Sequence, residues 1–268
     1  MTDARQAGLD APHPLRALLR NWLWERGRIG TRWLRCEDGT IGFDEGRKAA
    51  FADAPFTVVL LSTDGASAGQ ALTIHEPGVA RLLKAAQLGR PEDAGPPIEV
   101  SRAVQDCVEI GLCAAYQADV EASRLRWSQE PMFDDEIAAA VAEDVRRVWA
   151  PQRARLALYD WTVFHGLPTP LLTSDAPFVD WRVRAKPPVP FVSLPLGPYA
   201  LLVGAPSQRT ARAGPVSWQH AVAMGPFKDH NRHIVEGARR WIVGITDEQL
   251  AAVQGRFLPP EPVAGPPV

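Results

Sequence analysis

At 268 residues and 46% hydrophobic side chains, the chain carries enough apolar material to bury a core without staples. Its 29 Lys+Arg against 31 Asp+Glu give a formal net charge of -2, which removes the whole-protein field that draws proteins to phosphate backbones or anionic membranes. The three cysteines, Cys36, Cys107 and Cys113, are odd in number and lack metal-ligand spacing, as expected of free, mostly buried thiols in a reducing compartment.

The segment Met1 to Pro14 has neither the charged start nor the apolar run of a signal peptide, and no uncharged apolar stretch approaches the roughly 20 residues of a membrane helix. A soluble, cytoplasmic protein of bacterial type is expected. Between Pro14 and Cys36, Leu15, Leu19, Trp22 and Leu23 recur at helical spacing among arginines, predicting an amphipathic helix with Leu19 and Leu23 inward, then a Gly-punctuated turn. The run Thr57 to Ser62 predicts a short strand. After Pro77, Val79, Leu82, Leu83 and Ala86 mark a helix that Gly89-Arg90-Pro91 stops. Ser101 is placed to cap a long central helix with the stripe Val104, Val108, Leu112 and Ala115. A further helix is predicted from Asp134 to about Arg153, with Ile137, Val141, Val145, Val148 and Trp149 on its apolar face; Pro151 must end or kink it.

From Tyr159 the period changes, because Tyr159, Trp161 and Val163 alternate with polar residues before the breakers His165 to Pro170. Leu171-Leu172-Thr173 is predicted to return as the partner strand, and Phe191 to Leu194 to pair with Tyr199 to Val203, the prolines favouring edge positions. Asp229 is expected to cap a helix with Asn231, Ile234, Val235 and Ala238 inward. Trp241-Ile242-Val243 then forms a last strand, and Thr246 with Gln249 a capping box for a final helix to Val253. The Pro-rich tail 259–268 is expected to be disordered. Neither repeat nor linker is present. One domain is therefore expected over 1–258, of class α+β: a helical N-terminal part (about 14–155) packed on a small, mainly antiparallel sheet (about 156–255).

The order of the strand, Leu171-Leu172-Thr173-Ser174-Asp175-Ala176-Pro177, Phe191 to Leu196, and Asn231 on a helix ending in Arg239-Arg240-Trp241-Ile242-Val243 resembles the DUF4238 family, a domain of unknown function. The likeness covers about residues 145–244 through a T-S-D-x-P turn, a P-L-x-P strand end at Pro195 to Pro198 and the late Asn. The family's His followed closely by Tyr-Val-Pro is missing from the front of this chain. The resemblance implies a fold and no established activity.

Ser174-Asp175 lies where a predicted strand gives way to a loop, a position that can present side chains to a cleft. The same residues, just before Pro177, equally serve as turn caps. Asp229-His230-Asn231-Arg232-His233 sets two imidazoles three residues apart at a helix start, where anions are favoured. The pair lacks a third ligand and the intervening Glu of zinc proteases, so no metal and no cofactor is expected. Asn231 should hydrogen-bond the Ser174-Asp175 turn. Asp175, Asn231 and Arg232 are the candidate binding groups, with Ser174, Asp175, Asn231 and His230 the catalytic candidates. His165, in a Gly/Pro turn, and His75, at a helix entrance, read as exposed or capping residues, and His220 is assigned no role. Trp22, Trp24 and Trp33 lie among Arg20, Arg26, Arg28, Arg32 and Arg35, a pattern of base stacking or of cation-π packing onto a core; the overall charge argues against nucleic acid.

No G-x-S-x-G elbow, phosphate-cradling loop, dinucleotide fingerprint or paired-cysteine zinc pattern occurs. The sequence thus favours a ligand-binding or protein-interaction module of unnamed partner. The alternative is a hydrolase-like or metal-dependent enzyme with a cleft around Ser174, Asp175 and the 229–233 helix start, using His230 or His233.

Overall fold

A computed structural model of the chain describes residues 18–19, 22, 24–25, 28–45, 76–184, 187–207 and 215–258. The expected strand at Thr57 to Ser62, His75, Leu23 and the tail 259–268 lie outside them. The fold is α+β, with two sheets and a helical layer.

The largest departure from expectation is near the front. Leu18, Leu19 and Trp22 are buried as the apolar spacing requires, but the chain then forms β1 (Trp24–Glu25), β2 (Arg28–Arg35) and β3 (Ile41–Glu45), not a helix reaching Cys36. The hairpin between β2 and β3 turns at Gly39, whose φ of 70° favours glycine; Asp38 Oδ1 accepts the Thr40 N–H there at 2.9 Å. Gly30 and Gly42 are seats for aromatic rings on the facing strand. Phe43 covers Gly30, and Trp33 covers its register partner Gly42. A side chain at either glycine would occupy the space of the ring. The arginines of this segment also have local work, since Arg35 lies over Trp33 at 5.5 Å and Arg32 over Phe43 at 5.3 Å while pairing with Asp247 at 2.5 Å.

The helices follow their apolar period more closely. In α1 (Glu76–Leu88) Val79, Leu82, Leu83 and Ala86 are buried, and Gly89 ends the helix at φ 63° while Arg90 N–H reaches back to Ala85 O at 3.0 Å. Helix α2 (Pro97–Trp127) begins four residues before the expected cap Ser101, because Pro97 at its first position has a pre-set φ and no N–H to leave unpaired. Val104, Val108 and Leu112 are buried on it, as are Cys107 and Cys113. Gly111 brings α2 onto Leu194 of the second sheet, where a Cβ would come within 2.8 Å of that side chain.

Helix α3 (Asp134–Leu156) runs through Pro151 rather than ending there. Its last turn is held by Arg153 on Glu109 (2.7 Å), Arg155 on Asp180 (3.2 Å) and buried Leu156, which offset the backbone bond that proline removes. Val141 and Trp149 face inward, but Val148 is exposed. Asp144 ties α3 to α2 by accepting from Ser123 Oγ (2.6 Å), Trp127 Nε1 (2.8 Å) and Arg126.

The second sheet, in the order β6 (Val179–Asp180), β7 (Val192–Gly197), β8 (Ala200–Pro206), β4 (Tyr159–His165), β9 (Ser217–His220), is antiparallel except that β4 and β9 run parallel. Tyr159, Trp161 and Val163 of β4 are buried in alternation as expected, and β7 pairs with β8 across a register shift between Pro195 and Gly197. Leu171 to Thr173 does not return beside β4, whose two flanks belong to β8 and β9. Instead β5 (Thr173–Ser174) joins the other sheet, ordered β3-β2-β10-β5 with β10 (Trp241–Gly244) and with β1 on the start of β2. Two of the closing helices pack below that sheet: α5 (His230–Gly237) and α6 (Asp247–Gln254); a single turn, α4 (Trp181–Arg184), follows β6. The largest apolar cluster joins α1, α2 and α3 to the second sheet and to Trp241 and Val243 of the first.

Candidate functional site

The segment Asp229 to His233 folds as the start of α5, but its chemistry points inward. Asp229 makes no side-chain cap; it pairs with Arg232 at 3.4 Å, and Arg232 also reaches Glu236 at 3.8 Å along the solvated face. The expected Asp229 cap is corrected by this ladder, which also engages Arg232, a candidate binding group. Ile234 and Val235 drive the opposite face into the core and carry His230 and His233 with them.

His230 meets Ser193, the second residue of β7, and Trp181, the first residue of α4. Trp181 Nε1 donates to Ser193 Oγ at 2.7 Å, and that hydroxyl lies 3.2 Å from His230 Nδ1. The tautomer of His230 sets which of the two donates. The rings of Trp181 and His230 stack at 6.3 Å, and His233 meets Trp181 edge-on at 4.8 Å. His233 Nδ1 lies 3.2 Å from Glu236, while the Nε2 atoms of both histidines are buried without a partner among the described residues.

A hydroxyl beside an imidazole has the outline of an activated nucleophile, but two properties oppose that use. In a working triad the nitrogen facing away from the hydroxyl is oriented by a carboxylate, and His230 Nε2 has none. Burial, with His233 adding to it, pushes the His230 pKa down to about 3, far from the neutral range where a general base is poised. Ser193 and His230 are each 0% exposed.

The other candidates serve the backbone. Asn231 is a clamp, as its place on the apolar stripe implies, but its target lies two to four residues earlier than expected. Its Oδ1 accepts the Leu172 N–H at 2.8 Å and its Nδ2 donates to Pro170 O at 3.0 Å. Gln249 donates to the same carbonyl at 3.0 Å, and accepts from Ile245 N–H while its own N–H donates to Thr246 Oγ1, so the capping box closes on Ile245. The reason for the shift is that Ser174 and Thr173 already have ladder partners in β10, whereas Leu172 precedes the ladder.

Asp175 accepts the N–H groups of Arg239 and Arg240 at 3.1 and 3.3 Å, joining α5 to β10; Ser174 Oγ accepts the Ala176 N–H at 3.1 Å. Both are caps. Burial raises the Asp175 carboxyl above its ordinary range against the pull of those N–H groups. Among the described residues Asp175 and His230 share no hydrogen-bond partner, so Ser174, Asp175, Asn231 and His230 are not joined there into one constellation.

A different pair does meet. His165 at the end of β4 and His220 at the end of β9 are register partners on parallel strands, with ring centroids 5.2 Å apart and planes inclined at 57°. Nothing in their sequence neighbourhoods signals this, because the contact is made by a parallel pairing that local pattern does not encode. Among the described residues no group of three or more His, Cys, Asp or Glu is placed to hold a metal ion, and no helix is long and apolar enough to cross a membrane.

Comparison with protein-family models, with curated proteins and with solved structures finds no match to this chain.

Proposed function

We propose that this protein works by binding a ligand or a protein partner and not by hydrolysis. The observation that carries the reading is that the residues the sequence offers for hydrolytic chemistry are already committed: Asn231 and Asp175 to backbone groups, Ser174 to its own turn, and His230 to a sealed contact with Ser193. The kinship with DUF4238 proteins is proposed with it. Its support is that the motifs behind the likeness interlock, with Asn231 gripping the chain just before the T-S-D-x-P turn.

A hydrolase reading keeps one observation in its favour, the Ser193 Oγ to His230 Nδ1 approach. The two readings part on a direct test. The full chain is assayed against chromogenic esters, phosphoesters and peptide amides beside Ser193→Ala, with the unfolding midpoint of each protein measured. The binding reading expects no turnover that Ser193→Ala removes. Turnover abolished in a Ser193→Ala protein that still folds would establish a serine hydrolase in its place.

A further inference from the structure

We propose that His165 and His220 form a surface chelate for a divalent transition metal ion, with water completing its coordination. The pairing of β4 with β9 puts residues of matching register on the same face of the sheet, their backbones about 4.8 Å apart. That spacing is enforced by the ladder itself and by the adjacent bond from Ala221 N–H to His165 O at 2.8 Å. An ion about 2.0–2.1 Å from one nitrogen of each ring, near tetrahedral angles, holds the two ring centres about 5 Å apart. The observed separation is 5.2 Å before any ion is bound.

The surroundings favour a cation over any other occupant. Among the described residues neither ring makes a hydrogen bond, so all four nitrogens are uncommitted. Gly89, just past the last residue of α1, abuts His165: a Cβ there would come within 2.7 Å of Nδ1. The C-terminal end of α1, which carries partial negative charge, thereby lies beside His165. Gly166 stands against the His220 ring in the same way, where a Cβ would lie 2.6 Å from Nδ1. Each ring thus packs its Nδ1 edge against a glycine, in a place that a side chain there would take from it. His220 is exposed and His165 half-buried, so an ion reaches them from solvent.

Two neutral imidazoles and water form a borderline-soft site. It should take Cu2+ in preference to Ni2+, and Ni2+ in preference to Co2+, with no measurable uptake of Mg2+ or Ca2+. The site is independent of whether the protein hydrolyses anything, so its failure would leave the binding reading untouched.

The test is calorimetric titration of the full chain, stripped by a chelator, with Ni2+ and Cu2+ at neutral pH. One equivalent is expected. His165→Asn and His220→Asn should each weaken it about tenfold or more, and the double variant no further than the loss of the whole equivalent. His233→Asn should leave it unchanged. The paramagnetic spectrum of the Cu2+ complex should carry two nitrogen couplings, falling to one in either single variant. Absence of a stoichiometric equivalent, retention of native affinity in both single variants, or loss of the equivalent in His233→Asn or His75→Asn would each overturn the proposal.

Discussion

His230 and His233 sit three residues apart in sequence, whereas His165 and His220 are 55 residues apart and meet across two strands; the distant pair is the one that reaches solvent. The near pair is committed by Ser193, Trp181 and Glu236 and sealed by the core. Proximity along a helix therefore selects for shared burial, and cross-strand register selects for shared access. Chemistry needs both a lone pair and a route to it, and of these two pairs it is the sheet-edge pair that solvent reaches.

The comparison breaks most visibly under acid. His230 has an ordinary value of 6.5 when unfolded and about 3 when folded. Above pH 6.5 both states are neutral at this site, and its contribution to stability is flat. As the pH falls from 6.5 towards 3 the unfolded chain takes up a proton that the folded one refuses, so stability falls by up to about 1.4 kcal/mol per pH unit. Below 3 the loss levels off. Denaturant midpoints across this window should therefore decline more steeply for the parent than for His230→Gln; parallel declines would remove His230 from the sealed core.

Truncation sharpens the same contrast. His230→Ala opens a cavity and strands the Ser193 hydroxyl, costing about 2–4 kcal/mol. His220→Ala, at the surface, should stay within about 0.5 kcal/mol of the parent. Urea unfolding of the two variants measures the difference, and equal losses would contradict it.

Legibility follows the same division. Helices α1, α2 and α3 are visible in the sequence because each buries a stripe defined by neighbours three and four residues away, and β4, β8 and β10 because alternating or β-branched runs need no distant partner to be recognised. The strand Arg28–Arg35 is not visible, since it exists by virtue of ladders to 41–45 and 241–244, and its glycines make sense only once Trp33 and Phe43 cover them. The Asn231 clamp can be foreseen as a polar residue on an apolar stripe, but its target depends on where β5 begins pairing. Ser193 and Trp181 carry no local signal at all: a serine within Phe191-Val192-Ser193-Leu194 reads as strand.

Removing the clamp has an intermediate effect. Asn231→Ala leaves the Leu172 N–H without its acceptor, while Pro170 O keeps Gln249. One unpaired group is expected to cost about 1–3 kcal/mol, against twice that for two. Asn231→Ala combined with Gln249→Ala should therefore lose more than the sum of the single changes, because only the pair of substitutions orphans the carbonyl. Additive losses in thermal unfolding would show that the two amides do not share it.

The smallest effect belongs to Asp175, whose carboxylate bridges the end of α5 to β10. Its acceptors hold the Arg239 and Arg240 N–H groups, which belong to exposed residues and can turn to water when released. Burial meanwhile raises its carboxyl above the ordinary value, so the folded state bears a cost for keeping it charged at neutral pH. Asp175→Ala removes a favourable cap and that cost together, and the net loss should be only about 0.5–1.5 kcal/mol. Asp175→Asn keeps one accepting oxygen without the charge and should lose less than the alanine variant. Because the folded pKa is raised, the carboxylate's contribution improves as the pH falls through the folded value, opposite in sign to His230, and the stability gap between parent and Asp175→Asn should shift in the parent's favour on acidification. A gap that moves the other way on acidification would mean that the backbone N–H groups outweigh burial, and that Asp175 is a stabilised anion and not a desolvated cap.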